Sequence, residues 1–206
     1  MIPLRLPGSL LLLAALTLGS LPGCGGGRDV VDGFHGYRWG TRVSQIPEVA
    51  LAGLTREEDG LLVYSAPVRF LGREVLGIFY FDSDGGGLLE GRYVLPLSLQ
   101  ECDGEWDRVA ESLRSAFPTL RWTEEVPTRG EGDRGVYESD CEFFVYNSHR
   151  LEWEALLENP EPPGDAILLE LEPVGRSVRL AVTYRGGAAV GRGDQGAPGG
   201  GGAGPD

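Results

Sequence analysis

The stretch REVLGIFYF, from Arg73 to Phe81, limits what this chain can fold into more than any other. In an extended backbone Val75, Phe79 and Phe81 fall on one side and Leu76, Ile78 and Tyr80 on the other. Strand side chains alternate between faces, so a run that is apolar at both parities belongs in the middle of a sheet, covered on both sides. Two further strands flank it. Leu61-Leu-Val-Tyr-Ser65 precedes it, and between Leu88 and Leu95 the residues Leu89, Tyr93 and Leu95 alternate with Glu90 and Arg92. The connection DSDGGG places Asp82, Asp84 and Gly87 at positions 1, 3 and 6 of an EF-hand loop. Gly86 and Tyr93 then stand where a third ligand and the bidentate glutamate belong, so the stretch reads as a hairpin turn whose glycines supply positive φ.

A helix is expected after Cys102. Asp103 is placed to cap it, Glu105 and Asp107 suit the positive end of its dipole, and Trp106, Val109, Ala110, Leu113 and Phe117 form an apolar stripe before Pro118 stops it. A shorter helix is expected from about Gln45 to Ala52, capped by Ser44, with Pro47 in its first turn and Gly53 at its end. The remainder reads as β structure. Cys141, Phe143 and Val145 share a strand face, and Leu151, Trp153, Ala155 and Leu157 alternate with glutamates. Helix competes with strand over residues 150–157, because Leu, Glu and Ala favour it. Ile167, Leu169 and Leu171, followed by Val178, Leu180, Val182 and Tyr184, predict a hairpin across EPVGRS. Its Pro-Val and later valine echo Pro67-Val68 and Val75 too faintly to define a repeat. The expected fold is α+β: a mainly antiparallel sheet of about seven strands, one principal helix and one short N-terminal helix, in a single domain over 34–185. A chain of 206 residues, 41% hydrophobic, can fill one such core.

Ahead of the domain, Arg5 precedes an apolar run from Ser9 to Leu18 that is too short to span a bilayer and suits an export signal. Leu21-Pro-Gly-Cys24 resembles a bacterial lipobox. The resemblance implies a lipoprotein signal peptide over 1–23, palmitate-type acyl chains on Cys24 as the mature first residue, and a membrane anchor in the cell envelope. The residues 24–33 then serve as a flexible Gly-rich tether. Gly25 directly after the cysteine is similar to the sorting pattern of enteric bacteria for the outer membrane, facing the periplasm. With Cys24 set aside, Cys102 and Cys141 are left in a compartment outside the reducing cytosol, where a disulfide is expected, two buried thiols being the alternative. Closing such a loop is worth roughly 4 kcal/mol. The Gly-rich tail over 186–206 lacks apolar bulk and is expected to be disordered. Its Arg192-Gly-Asp194 resembles an integrin-binding tripeptide but is too short to carry an adhesion role.

At the start of the domain, Gly36-Tyr-Arg-Trp-Gly-Thr41 resembles the G-x-x-W-G-T/M opening of many uncharacterised bacterial envelope proteins. The likeness carries no activity. It reads as a structural device, with Trp39 as a ligand contact the alternative.

The net charge of −13, which becomes −14 without the leader because Arg5 is the leader's only charge, repels nucleic acid and anionic lipid. No nucleophile elbow, zinc signature or phosphate-binding loop is present, the chain has no lysine, and its two histidines, His35 and His149, are expected in solvent. The sequence predicts no catalytic residue, no metal and no cofactor. The function it favours is a non-enzymatic envelope lipoprotein acting as a protein-interaction or assembly module with an envelope protein partner. A small-molecule or cation-binding module is the alternative, marked by Trp39, Trp122 or Trp153 beside carboxylates in a pocket, and an envelope hydrolase comes third.

Overall fold

The computed structural model describes residues 31–58, 60–83, 86–148, 150–159 and 165–186. The leader, Cys24, His149 and all of the tail beyond Gly186 lie outside them. A small hairpin comes first, strands β1 (Gly33–Phe34) and β2 (Tyr37–Arg38), then a 3-10 turn over Val43–Gln45 and helix α1 (Pro47–Ala52). Strands β3 (Leu54–Glu58), β4 (Leu61–Phe70), β5 (Arg73–Asp82) and β6 (Leu88–Leu97) follow. After helix α2 (Leu99–Ala116) come β7 (Arg121–Glu125), helix α3 (Asp140–Asn147), β8 (Glu154–Glu158), β9 (Ala166–Val174) and β10 (Ser177–Arg185). The fold is α+β, as expected. Its main sheet has eight strands in the order β3-β4-β5-β6-β10-β9-β8-β7, every pairing antiparallel. Two four-stranded meanders thus meet where β6 pairs with β10.

Register explains which residues form the core. Leu95 pairs with Leu180 and Leu180 with Leu171, while Tyr93 pairs with Val182 and Val182 with Leu169, so rows of large apolar side chains cross the meander junction on one face. Helix α2 lays Trp106, Val109, Ala110 and Leu113 on that face, and Ile46 and Val49 of the N-terminal region join the same cluster. Strand β5 does lie inside the sheet, between β4 and β6. Only its Val75, Phe79 and Phe81 side is fully buried; on the other face Leu76 is 44% exposed and Ile78 and Tyr80 are half-buried. Among the described residues no helix covers that second face. Its centre is closed by Arg92, which pairs with Glu170 and Glu172 beside the buried Thr183. Long charged side chains cover apolar surface with their stems.

Several expectations are corrected. Cys141, Phe143 and Val145 lie in helix α3, not on a strand: the Ser139 hydroxyl accepts the Glu142 N–H at 3.0 Å, Asp140 and Glu142 occupy the first turn, and the buried pair is Cys141 and Phe144, three apart. Helix α2 begins at Leu99, because the Ser98 amide and hydroxyl both donate to Glu101, so neither Asp103 nor Asp107 serves its amino end. Sheet edges β3 and β7 were not foreseen, since charged strands such as LTREE lack the apolar alternation that marks a buried face. The helix expected from Gln45 begins at Pro47 instead: Ser44 lies within the 3-10 turn and does not cap it, Ile46 holds the N-cap position, and Gly53 closes α1 at φ +76 as expected. Residues 154–158 are strand, with Trp153, Ala155 and Leu157 buried.

The opening motif folds as a clamp over the core face. His35 and Gly36 form the two-residue turn between β1 and β2, both with positive φ. The Phe34 ring lies over Gly91 of β6, where an added Cβ would come within 2.0 Å of it. Trp39 packs on Gly186 and donates its indole N–H to the Val31 carbonyl at 2.7 Å. Gly40 and Thr41 pair with Leu88, and Gly87 leaves room for Gly40, whose Cα would lie 2.1 Å from any Cβ there. The glycine at 87 therefore acts through space and not through positive φ. Val31, placed in the tether by the sequence reading, is 1% exposed.

Candidate functional site

The 18 residues of α2 put Asp103, Asp107 and Glu111 at intervals of four, one above another along the helix. Beside them, on the core side, lie Trp106 and Ala110. Across from the helix, Glu124 of β7 and the segment that follows it form the opposite wall. Trp153, immediately ahead of β8, supplies the rest of the floor, and Asp140 at the start of α3 closes one end. The result is an open cleft of about 570 Å³, walled by carboxylates over two indoles.

The floor is rigid. The Trp153 ring meets Trp106 edge-on at 5.6 Å and Phe144 at 5.7 Å, and the Trp153 carbonyl accepts the Leu171 N–H. Trp153 is 4% exposed, and its buried indole nitrogen has no hydrogen-bond partner among the described residues. One end of the cleft is fixed by sulfur. Cys102 in the first turn of α2 and Cys141 in the first turn of α3, both fully buried, are joined in a disulfide with Cα atoms 6.1 Å apart. The residue after one cysteine, Asp103, and the residue before the other, Asp140, both line the cleft. Asp103 accepts the Cys141 N–H at 3.0 Å, so it caps α3 rather than its own helix. Burial, aided by the nearby Asp140 charge, raises the Asp103 pKa, with the Cys141 N–H pulling the other way. Asp140 is held at 2.6 Å by Arg129, which also donates to the Tyr137 carbonyl.

Asp107 and Glu111 form no ion pair among the described residues. Like charges four apart on a helix cost a few tenths of a kcal/mol per pair, and the concave wall brings Glu124 to face them. The rim shows what satisfies such a wall. Arg114 lies 4.0 Å above the Trp122 ring and donates to Glu124 at 2.6 Å, and the Trp122 indole donates to the same carboxylate. Farther along, the floor indoles are themselves buried, Trp106 and Trp153 each 4% exposed.

Of the three tryptophans predicted as ligand contacts, Trp153 forms the cleft floor, Trp122 is occupied at its rim by the protein's own Arg114, and Trp39 is spent in the clamp. The i, i+4, i+8 spacing of Asp103, Asp107 and Glu111 is a signal in the sequence that reading Asp103 as a cap and Asp107 as a dipole partner passes over. Glu124 and Asp140 come from separate elements, and nothing in the sequence joins them to it. His35, expected in solvent, is half-buried, with its Nδ1 3.1 Å from the Tyr93 hydroxyl. Of the EF-hand-like residues, Asp84 lies outside the described set. No model of a known protein family, no curated protein and no solved structure matches this chain significantly.

Proposed function

We propose that this chain is a non-catalytic binding module of the bacterial cell envelope, tethered through Cys24, whose acidic cleft holds a cationic group presented by an envelope protein partner. The observation that carries the reading is the repelling stripe Asp103, Asp107 and Glu111 aimed over the Trp106 and Trp153 floor. A mutually repulsive surface is retained where a guest of opposite sign relieves it. The acidity of the whole chain draws cationic partners by the same sign. The lipobox-like leader supports the location. An arginine or lysine side chain of a partner protein satisfies both functional readings of the sequence, since the protein interaction and the cation site become one event.

The test is titration of the purified full chain with a short arginine-rich peptide, followed by calorimetry at low and at moderate salt. Saturable binding that weakens about fivefold or more in the Asp107→Asn, Glu111→Gln double variant supports the reading. Binding that the double variant leaves unchanged, or heat that never saturates, overturns it.

A further inference from the structure

We propose a second, separate binding site, for a small zwitterionic aromatic molecule of the aromatic amino acid class, in the gap where the β1–β2 hairpin and the carboxyl end of α2 fail to meet over the sheet. Protein interiors are packed to crystal density, so two elements laid on one sheet face normally close against each other. Here they leave a cleft of about 520 Å³, within the range of small-molecule sites. Its floor is the middle of the sheet: Tyr93 of β6 and Tyr184 of β10 stand edge to face, 5.9 Å apart. Phe117, where α2 ends, forms one wall. The hairpin forms the other, with His35, Asp32 and Arg38.

Each part of the ligand class follows from a lining group. The aromatic floor and wall favour a flat ring that meets their edges, since Phe70 and Phe34 already pack on the Tyr93 ring. Tyr93, 6% exposed, brings a hydroxyl to this apolar floor with His35 Nδ1 at 3.1 Å. Burial lowers the His35 pKa and raises that of Tyr93, so the pair stands neutral and offers hydrogen bonds without a net charge. The charges come from the hairpin mouth. Arg38 and Asp32 both line the cleft, and among the described residues neither forms an ion pair, with the other or with any other group. A carboxylate suits Arg38 and an ammonium suits Asp32, while the ring lies on the tyrosines. A ligand with one charge answers only half of this mouth.

Calorimetry on the full chain with L-phenylalanine, 3-phenylpropionate, phenethylamine and glycine separates ring, anion and cation. The expected result is saturable binding of L-phenylalanine, with the other three about tenfold weaker or undetected. Arg38→Ala is expected to abolish the preference over phenethylamine, and Asp32→Asn the preference over 3-phenylpropionate. Asp107→Asn, in the acidic cleft, is expected to change nothing. No saturable heat with L-phenylalanine up to about 10 mM overturns the proposal. So does equal binding of a singly charged analogue, binding indifferent to both hairpin variants, or binding lost in Asp107→Asn, which would place the molecule in the other cleft.

Discussion

At the scale of single residues, the clamp rests on an absent side chain. Gly91 sits under Phe34, and a methyl group there would overlap its ring. Gly91→Ala should therefore destabilise the fold by about 1–3 kcal/mol, the usual cost of overpacking a filled site. In the Phe34→Ala background the same change should cost much less, because the overlapping ring is gone. Urea unfolding of the two single variants and the double variant measures both numbers, and strict additivity would show that Phe34 and Gly91 are not coupled. His35 gives a second prediction. Burial lowers its pKa from the ordinary 6.5, with the Glu48 carboxylate opposing. The unfolded chain then binds a proton at pH values where the folded one does not, so stability falls as the pH drops from about 7 through 6.5. His35→Asn keeps a residue that tolerates the positive φ of the turn and removes the titration. The difference in urea midpoint between the two proteins should widen toward neutral pH, and a constant difference refutes the assignment. The half-burial of His35 was not legible in the sequence. A histidine beside a glycine reads as a solvent-facing turn, and Tyr93, its partner, is 58 residues away.

Between elements, the amino ends of α2 and α3 are joined twice, by the disulfide and by Asp103. Asp103→Ala removes the acceptor of the Cys141 N–H and should cost about 0.5–2 kcal/mol, as loss of a helix cap does. Asp103→Asn retains an acceptor and removes a charge that the fold disfavours. A carboxyl whose folded pKa lies above its ordinary 3.8 weakens the fold once both states are ionised, and that penalty disappears as the pH falls toward 3.8. At neutral pH the Asn variant should thus match or exceed the native melting temperature while the Ala variant falls below it; equal losses in both would show that the charge itself is needed. Strand and helix were unequally legible at this scale. The hairpin of β9 and β10 was readable because Ile167, Leu169 and Leu171 face Leu180 and Val182 in strict alternation. Helix α3 was misread because Cys141, Phe143 and Val145 mimic that alternation within eight residues, too few for a helical period to show. The echo of PV and a later valine falls at different registers, with Val68 facing Val75 but Pro173 facing Val178. Leu71-Gly72 and Gly175-Arg176 are each the two-residue loop of a tight hairpin. They join the second and third strands of one meander but the third and fourth of the other, so the echo marks no repeat.

For the molecule as a whole, the expected sheet and its antiparallel sense were legible because most inner strands carry one apolar face, whereas the meeting of the two meanders at β6 and β10 was not. No local pattern distinguishes Leu95 beside Leu180 from Leu95 beside any other apolar strand. The acidic cleft lay beyond reach for the same reason, since its far wall arrives with β7 and α3. The net charge, by contrast, is a property of the full chain and makes a prediction that no single element makes. A charge of −13, or −14 without the leader's Arg5, sets the chain against anionic headgroups, so the anchoring proposed here rests on acyl chains at Cys24, at about 0.8 kcal/mol per buried methylene. Binding to membranes should then be all or none. The amino-terminal peptide of the native protein should carry a diacylglyceryl mass on Cys24. A form exported on an ordinary cleavable signal and starting after Cys24 should be released quantitatively by osmotic shock, at low salt as fully as at high salt. Retention of that form on membranes at low salt would mean that the folded surface itself binds lipid, against its charge, and would remove the basis for the anchor.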